Sequence, residues 1–445
     1  MKHGIAGGCT VSITPSSPLR GYSGFEFSRN ESEDSDVLAH AVVFDDGRTE
    51  AAMVSLDVTA VDRAVVLAIR ELCELKCGIP AGNVFVAANH VHSAPHAAPM
   101  FLFGAPPDPL YIDFMVRQTV RAVVTAKSRA KPAMLVAGRV PVPGVVFNRR
   151  LLRPDGTVAI SQYLARDGML KEAAKMEPAG PADDELAYLL FEGMDERPIA
   201  WLTGLASHNH VASGAHFHRD FGGRTGDALR RRLGGNFATP FIEGACGDAM
   251  WLDPAAGLPV DGPAMAVQIG ERLAAAAIDD AEGRMRLPIS DVAVATRLYE
   301  VFDRTPDDSD YCDDGCRGTV EERLVFARNR YDPERRAVEK RGDTSCTVEL
   351  GAIAIGDVAV SCNPAELFTE LGMEIKRRSP FRLTIISELT NGYCGYVPPE
   401  HAFAQKGYET HRTVFTSRLA KNAGALIVDR SVGLLEETRS AQSWS

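Results

Sequence analysis

The stretch Val84-Phe85-Val86-Ala87-Ala88 is followed directly by Asn89-His90-Val91-His92-Ser93-Ala94-Pro95-His96. The first five residues form a short apolar run bounded by turn residues, which is typical of a buried strand. Side chains alternate between the two faces of a strand, so His90 and His92 would point the same way if the extended conformation continued to them. The pattern therefore predicts a strand that presents histidines at its carboxyl end.

A second segment has the same organisation. The apolar run over residues 198–206 predicts another buried strand and leads into Ser207-His208-Asn209-His210. Seven of the eleven histidines lie in these two clusters, because the second continues to His216 and His218. Open α/β sheets bind ligands beyond the carboxyl ends of their strands, and neutral imidazole is the commonest metal ligand. A single exposed histidine is usually solvated or hydrogen-bonded, but two clusters at strand ends predict a metal site.

The composition excludes several classes of protein. Of the 445 residues, 45% are apolar, which is enough for a substantial core and excludes disordered and fibrous classes. The formal net charge of −11, without a block of Lys or Arg, argues against nucleic-acid binding and against adhesion to anionic membranes. No stretch approaches the roughly 20 apolar residues of a membrane-spanning helix, so we expect no integral membrane segment.

The terminus and the cysteines indicate a compartment. Residues 1–9 lack the apolar core of a secretory signal, so we expect the protein in the cytoplasm. The nine cysteines are an odd, scattered set, which suits a reducing compartment better than a disulfide framework. Cys312 and Cys316 have the wrong spacing for a zinc ribbon and are expected in an exposed polar loop.

Strands and helices alternate along the chain without repeats or a low-complexity linker. This order predicts a mixed, layered α/β fold that forms a single domain over residues 1–445, with the metal site at strand ends. A helix is predicted over residues 61–76, with Thr59 as its cap. Residues 167–184 and 305–317 are predicted to be weakly structured.

The last third of the chain contains another strand-to-helix junction. Residues 352–355 and 358–361 are predicted to pair as a hairpin. A helical pattern over residues 367–377 follows, and then a strand over residues 381–387. Glu366 lies just before that helix, where a carboxylate commonly caps, so capping is the leading interpretation from this position alone.

A set of short motifs occurs in the order seen in neutral/alkaline ceramidases. The motifs are Gly4-Ile5-Ala6-Gly7, Ser12-Ile13-Thr14-Pro15, Gly21-Tyr22, the histidine run from Asn89 to Pro95, Asn148-Arg149, Ser207-His208, Gly244-Ala245-Cys246-Gly247-Asp248, Asn363-Pro364-Ala365-Glu366, Asn391-Gly392-Tyr393-Cys394-Gly395-Tyr396-Val397-Pro398 and Gly407-Tyr408-Glu409. Each motif alone is weak, but their joint order is specific. The chain thus resembles the catalytic N-terminal domain of that family over nearly its whole length.

The resemblance implies a zinc ion and names its ligands, which are His90, His208, Glu366 and Tyr396. Two imidazoles and one carboxylate leave a position on zinc open for water, which is the arrangement of hydrolytic rather than structural zinc. Tyrosine is an uncommon ligand, so its assignment rests on the resemblance. Iron or manganese can occupy similar nitrogen and oxygen ligands, which leaves the metal's identity open.

The resemblance also implies three residues that face the substrate carbonyl, namely His92, Arg149 and Tyr408. Hydrogen-bond donors beside a permanently charged arginine stabilise an oxyanion in acyl transfer. Without the resemblance, the preferred interpretations are that Arg149 pairs with a surface carboxylate and that Tyr408 is partly buried core.

The chain also departs from the family pattern. Ceramidases carry a serine at the position that corresponds to Met250, so a serine nucleophile is absent there and a covalent acyl-enzyme is not expected. We also expect neither the C-terminal β-domain nor the secretory signal of the family. Asp248 is expected to orient a ligand or to cap the next helix. The remaining clustered histidines could support the metal ligands, form a second metal site or lie in a polar loop, and the loop is the preferred interpretation. They are His96, His210, His216 and His218.

The combined hypothesis is a zinc-dependent hydrolase of the ceramidase-like superfamily. In it, zinc-activated water attacks the amide carbonyl of a small-molecule acyl substrate, which we expect to be soluble rather than a membrane lipid. One alternative is an ester or lactone hydrolase that uses the same site. Another is a non-catalytic protein that binds zinc or a small molecule. The sequence leaves the oligomeric state open, including a homo-oligomer.

Overall fold

The structure is a computed structural model. It describes residues 4–21, 26–27, 36–100, 106–212, 216–256, 262–304, 345–412 and 416–442, with isolated residues between 325 and 340. The loop predicted at 305–317, with Cys312 and Cys316, lies outside the described residues.

The described strands are short and numerous. In chain order they are β1 Ile5–Ser12, β2 Leu19–Arg20, β3 Glu26–Phe27, β4 Leu38–Asp45, β5 Glu50–Leu56, β6 Val84–Ala88, β7 Lys131–Pro141, β8 Phe147–Asn148, β9 Arg150–Leu152, β10 Val158–Ile160, β11 Glu185–Gly193, β12 Pro198–Leu205, β13 Phe241–Glu243, β14 Ala249–Met250, β15 Leu287–Pro288, β16 Val292–Phe302, β17 Ser345–Ile355, β18 Val358–Cys362, β19 Glu366–Leu367, β20 Leu383–Ser387 and β21 Tyr396–Val397.

The described helices lie between and after these strands. They are α1 Arg63–Cys77, α2 Pro109–Ser128, α3 Ser161–Arg166, α4 Leu170–Ala173, α5 Asp220–Leu233, α6 Gly262–Glu282, α7 Thr369–Arg378, α8 Ala402–Gln405 and α9 Ala423–Gln442. Two short 3-10 helices, Ala81–Asn83 and Tyr408–Thr410, complete the set.

Two mixed sheets form the centre of the molecule. The larger has nine strands in the order β13-β12-β11-β7-β1-β4-β5-β6, with β15 paired to β7. In it, β12 and β13 are parallel, as are β5 and β6, and the other pairs are antiparallel. The smaller sheet has the order β16-β17-β18-β20, with only β18 and β20 parallel.

The two sheets pack face to face between two layers of helices. Phe44 on β4 and Ile353 on β17 belong to one apolar core between the sheets. The neighbouring residue Val43 points to the opposite face, where it packs with α1 and α2, and Ala352 packs outward with α7 and α9. This alternation is the period of a strand, and it buries both faces of each sheet. The result is a four-layer arrangement that confirms the predicted mixed, layered α/β class.

Several predicted strands and one predicted hairpin are confirmed. The strand β6 has the predicted bounds, Val84–Ala88, and β12 ends at Leu205, one residue before its predicted end. The predicted hairpin forms between β17 and β18, with Gly356 in the left-handed region at φ 54°.

The predicted start and cap of the first helix are wrong. The helix begins at Arg63, and Asp62 caps it by accepting a hydrogen bond from the Ala64 amide at 2.7 Å. Thr59 instead donates its hydroxyl to the Val91 carbonyl at 2.8 Å and so ties the chain before α1 to the histidine cluster. The stretch 167–184, predicted to be weakly structured, contains the short helix α4. Among the described residues, no helix is both long and apolar enough to cross a bilayer.

Candidate metal centre

His90 is placed by a sharp turn at the end of β6. The strand stops at Ala88, and the Asn89 side chain donates to the Asp57 carboxylate at 2.5 Å. His90 then adopts φ 61°, a left-handed conformation that is strained for a non-glycine residue. Its Nδ1 lies 2.8 Å from the Thr59 carbonyl oxygen. A carbonyl only accepts, so Nδ1 carries a proton and Nε2 is the ring nitrogen that can serve as a metal ligand. The expected extended conformation therefore does not persist to His90.

His208 follows β12 and is oriented in the same way. Its Nδ1 lies 2.9 Å from the Cys246 carbonyl oxygen and 3.1 Å from that of Ala249. Both partners only accept, so Nδ1 of His208 also carries a proton. Burial, reinforced by the positive charge of Arg149, lowers the pKa of His208 to about 3. The imidazole is therefore neutral at pH 7, which is the form that binds metals.

Glu366 lies in the short strand β19, which pairs in parallel with β21. One carboxylate oxygen, Oε1, accepts from the Tyr393 hydroxyl at 2.7 Å. The other, Oε2, lies 3.4 Å from Nε2 of His90 and 3.2 Å from Nε2 of His208. Glu366 therefore presents Oε2 to both imidazoles, and it does not cap the following helix.

Three ligand atoms from these distant segments converge. They belong to His90, His208 and Glu366, all buried, and they lie within 4.8 Å of one another. Within the described part of the chain, neither His90 Nε2 nor Glu366 Oε2 makes a hydrogen bond. Buried polar atoms are normally paired, so these two neighbouring atoms are available to a cation. Two imidazoles and one carboxylate fit a divalent metal such as zinc.

Tyr396 comes to the same point through the pairing of β19 with β21. Its hydroxyl lies 3.3 Å from Nε2 of His208, and its ring is parallel to the imidazole. Burial and the Glu366 carboxylate raise the pKa of Tyr396, while the Arg149 guanidinium acts in the opposite direction. The structure thus brings all four predicted ligands together, and a ligand role for the phenol stays a prediction.

Arg149 does not pair with a surface carboxylate. Its Nε donates to Glu409 at 2.7 Å and its Nη2 donates to the Gly247 carbonyl at 2.9 Å, all in buried surroundings. The guanidinium carbon lies 5.5 Å from the ring centre of Tyr396 and 5.9 Å from that of Tyr408. Arg149 is therefore a buried cation beside the two tyrosines.

The other two residues predicted to face the substrate border the centre. His92 is half-buried, and its ring centre lies 4.9 Å from that of His90. Burial, together with the neighbouring His210 and His90, lowers the pKa of His92 well below its ordinary value. Tyr408 is half-buried and packs edge-on against Tyr396 at 5.6 Å between ring centres.

The histidines assigned to a polar loop behave differently from one another. His216 is exposed, as predicted, but His96 and His218 are buried. His218 accepts from the Asp220 amide through Nδ1 at 2.8 Å, at the start of α5. His210 stacks on His92 with 4.0 Å between ring centres, so it borders the candidate site. All four therefore lie in loop segments, as predicted, but His96, His210 and His218 are at least partly shielded from solvent.

Asp248 and Met250 support the site rather than form it. Oδ1 of Asp248 accepts from the amide and the hydroxyl of Thr369 at 2.8 and 2.7 Å, and so caps α7. The capped helix is not the next one along the chain, which local sequence could not show. Met250 is buried, and its backbone pairs with that of His208 in an isolated parallel bridge.

Sequence reasoning missed three supporting residues. Tyr393 holds Glu366, and Glu409 lies between Arg149 and Arg150, with 2.7 Å to each. Both occur inside motifs quoted for the resemblance, so their positions beside Tyr396 and Tyr408 were a usable signal. Glu388, which accepts from the Leu367 amide at 2.9 Å, had no such signal.

Comparison with known proteins bears on the fold. A solved structure described as a ceramidase complexed with C2 matches with a TM-score of 0.75 at 16% identity, covering 98% of this chain and 75% of that chain. The neutral ceramidase from Pseudomonas aeruginosa matches with a TM-score of 0.72 at 18% identity and the same coverage. No protein-family model matches the chain, and no curated protein matches it. At such identities the likeness establishes architecture alone: this chain has the fold of these ceramidases.

Proposed function

We propose that this protein is a zinc-dependent hydrolase that cleaves the amide bond of an N-acyl compound. The observation that carries the proposal is the convergence of His90, His208 and Glu366 within 4.8 Å in a buried site. The matching solved structures are ceramidases by name, which supports an amide as the bond that is cleaved. We assign the Tyr396 hydroxyl as a fourth group on the metal, because it lies 3.3 Å from Nε2 of His208.

Hydrogen bonds orient the residues of the centre for metal binding. Nδ1 of His90 and Nδ1 of His208 each donate a hydrogen bond to backbone carbonyls, so both rings direct Nε2 towards the same point. The Tyr393 hydroxyl occupies Oε1 of Glu366 and leaves Oε2 for the metal. When bound, zinc supplies Lewis-acid chemistry, making water nucleophilic near neutral pH and polarising an acyl carbonyl.

We assign His92, Tyr408 and Arg149 to the stabilisation of negative charge on the acyl oxygen. His92 and Tyr408 are half-buried at the border of the centre and can donate hydrogen bonds. Arg149 lies against both tyrosine rings, where its fixed positive charge favours an anion in a water-poor site. With Met250 in place of a serine, we propose direct attack by water without an acyl-enzyme.

The proposed substrate is a soluble N-acyl compound rather than long-chain ceramide in a bilayer. The net charge of −11 opposes approach to an anionic membrane. The imidazoles of His92 and His210 stack at the border of the centre and offer polar groups to a substrate. Both features favour a small polar acyl compound.

A comparison of substrates tests this function. One zinc-loaded preparation is assayed with short N-acyl amides, with matching esters and with long-chain ceramide in detergent. We expect the amides to have the highest kcat/KM, around 10⁴ M⁻¹s⁻¹ or better for a suitable one, and a chelator to abolish the turnover. Turnover that survives metal removal would refute the metal-dependent mechanism, ester-only turnover would refute the amide, and efficient ceramide turnover with inert soluble amides would refute the substrate class.

A further inference from the structure

Glu388 is a buried carboxyl group that connects two loops. It follows β20 directly and has no exposed surface. Its Oε2 accepts from the backbone amide of Cys246 at 3.2 Å and from that of Leu367 at 2.9 Å. Its own amide donates to the Glu243 carbonyl oxygen at 3.0 Å. The Glu388 side chain therefore links the loop at Cys246 to the strand at Leu367, beside the backbone hydrogen bond that the Gly247 amide donates to the Leu367 carbonyl at 2.9 Å.

Each of the two connected segments carries a candidate metal ligand or its support. The Cys246 carbonyl accepts a hydrogen bond from Nδ1 of His208 at 2.9 Å and so orients that ring. Leu367 follows Glu366 in β19, so its amide is one residue from the metal-binding carboxylate. Moving one loop against the other would change the separation of His208 Nε2 from Glu366 Oε2, which is 3.2 Å.

We propose that Glu388 is a positioning residue that sets the spacing of His208 and Glu366 and thereby the affinity for the metal. The inference rests on the proposed metal-dependent function and names no new ligand. Groups behind metal ligands commonly control affinity in this way, because they fix the ligand orientation before the metal arrives.

The surroundings of Glu388 show that stability alone does not explain it. Oε1 accepts from the Cys246 thiol at 3.1 Å, and the same sulfur lies 3.4 Å from Oε2 of Glu243, which is also fully buried. Within the described residues, Oε1 of Glu243 has no hydrogen-bond partner. Two carboxyl groups buried around one sulfur cost free energy. A residue kept at such a cost beside the metal ligands is better explained by positioning.

Three substitutions of Glu388 distinguish the position of its acceptor oxygen from the charge of its carboxylate. Glu388→Gln keeps an acceptor oxygen at the same reach without the carboxylate, and Glu388→Asp keeps the carboxylate but withdraws it by about 1.5 Å. Glu388→Met removes the acceptor. We expect the zinc dissociation constant to stay within about threefold for Gln and to rise about 10- to 100-fold for Asp and Met. The visible spectrum of the cobalt(II)-loaded protein should change for Asp and Met only.

A matched control is Glu192→Gln, since Glu192 is nearly as buried and pairs with Arg286 at 2.8 Å in β11. It should bind zinc as the unsubstituted protein does. If the Met variant does not fold, the Gln and Asp pair still decides. The positioning role would be overturned if zinc affinity were unchanged in all Glu388 variants, or if it were lost in Glu388→Gln and kept in Glu388→Asp. Either result would leave the proposed function intact. An unsubstituted protein that binds no zinc would overturn both.

Discussion

The two sides of the candidate site differ in how their buried polar and charged groups are paired. On one side His90, His208 and Glu366 converge, and two of their polar atoms make no hydrogen bond within the described residues. On the other side Arg149 and Arg150 both donate to Glu409 at 2.7 Å, so opposite charges satisfy each other. Because a buried polar atom without a partner is costly, the first side is suited to hold a cation, whereas the charges of the second side are paired within the protein. The comparison distinguishes polar atoms that are available to a cation from charged groups that are already paired within the protein.

The largest effect on stability should come from the satisfied side. Glu409→Gln leaves two buried guanidinium groups without their charge partner, so we expect the free energy of unfolding to fall by about 3–5 kcal/mol in urea titrations. Glu374→Gln is the matched control, since its pair with Arg377 is exposed and should contribute less than about 1 kcal/mol. Zinc should still bind to folded Glu409→Gln, and loss of zinc without loss of stability would break the comparison.

The same substitution has a pH dependence of known sign. Burial would raise the pKa of Glu409, but Arg149 and Arg150 lower it below its ordinary value. The charge pair therefore contributes stability above the unfolded pKa of about 4.3, and this contribution disappears as the pH falls through the folded value. The difference between the unsubstituted protein and Glu409→Gln should shrink on acidification, and a difference that grows would contradict the assignment.

Tyr408→Phe tests the border between the two sides. It removes one hydroxyl and keeps the packing against Tyr396, so zinc should remain bound. If the hydroxyl stabilises the acyl oxygen, turnover should fall by about 10² to 10³. Elemental analysis and kcat measured on the same folded preparation check both parts. Zinc loss, or full activity, would show that Tyr408 has another role.

A smaller effect should come from the close approach at Gly247. A Cβ there would lie 2.5 Å from the Glu366 carbonyl oxygen, so Gly247→Ala must push the two segments apart. We expect a loss of about 1–3 kcal/mol in the free energy of unfolding, with weaker zinc binding. The control is Gly283→Ala, where a Cβ would meet no described atom within 4 Å. Equal effects of both substitutions would mean that this contact does not constrain the centre.

The sequence predicted the elements that depend on local pattern. The apolar runs that became β6 and β12 are continuous and buried, and the hairpin of β17 and β18 has its glycine turn. The histidines were visible because they cluster directly after these strands. Local pattern therefore located half of the candidate metal ligands.

The other half depended on contacts between distant segments. Glu366 resembles a helix cap in its neighbourhood, but Asp248, more than a hundred residues away, caps that helix instead. The left-handed turn at His90 is held by the Asn89 bond to Asp57 and by the Thr59 carbonyl, neither of which has a sequence signature. Motif resemblance supplied Glu366 and Tyr396 because it reflects the folded arrangement.

The most direct test of the account is the metal content of protein purified without added metal. We predict about one zinc per chain, with strong loss in both His90→Ala and His208→Ala. His401→Ala is the control, because this exposed histidine lies outside the centre and should leave the content unchanged. Folded His90→Ala and His208→Ala proteins that keep the full zinc content would contradict the central claim that His90, His208 and Glu366 form the metal centre.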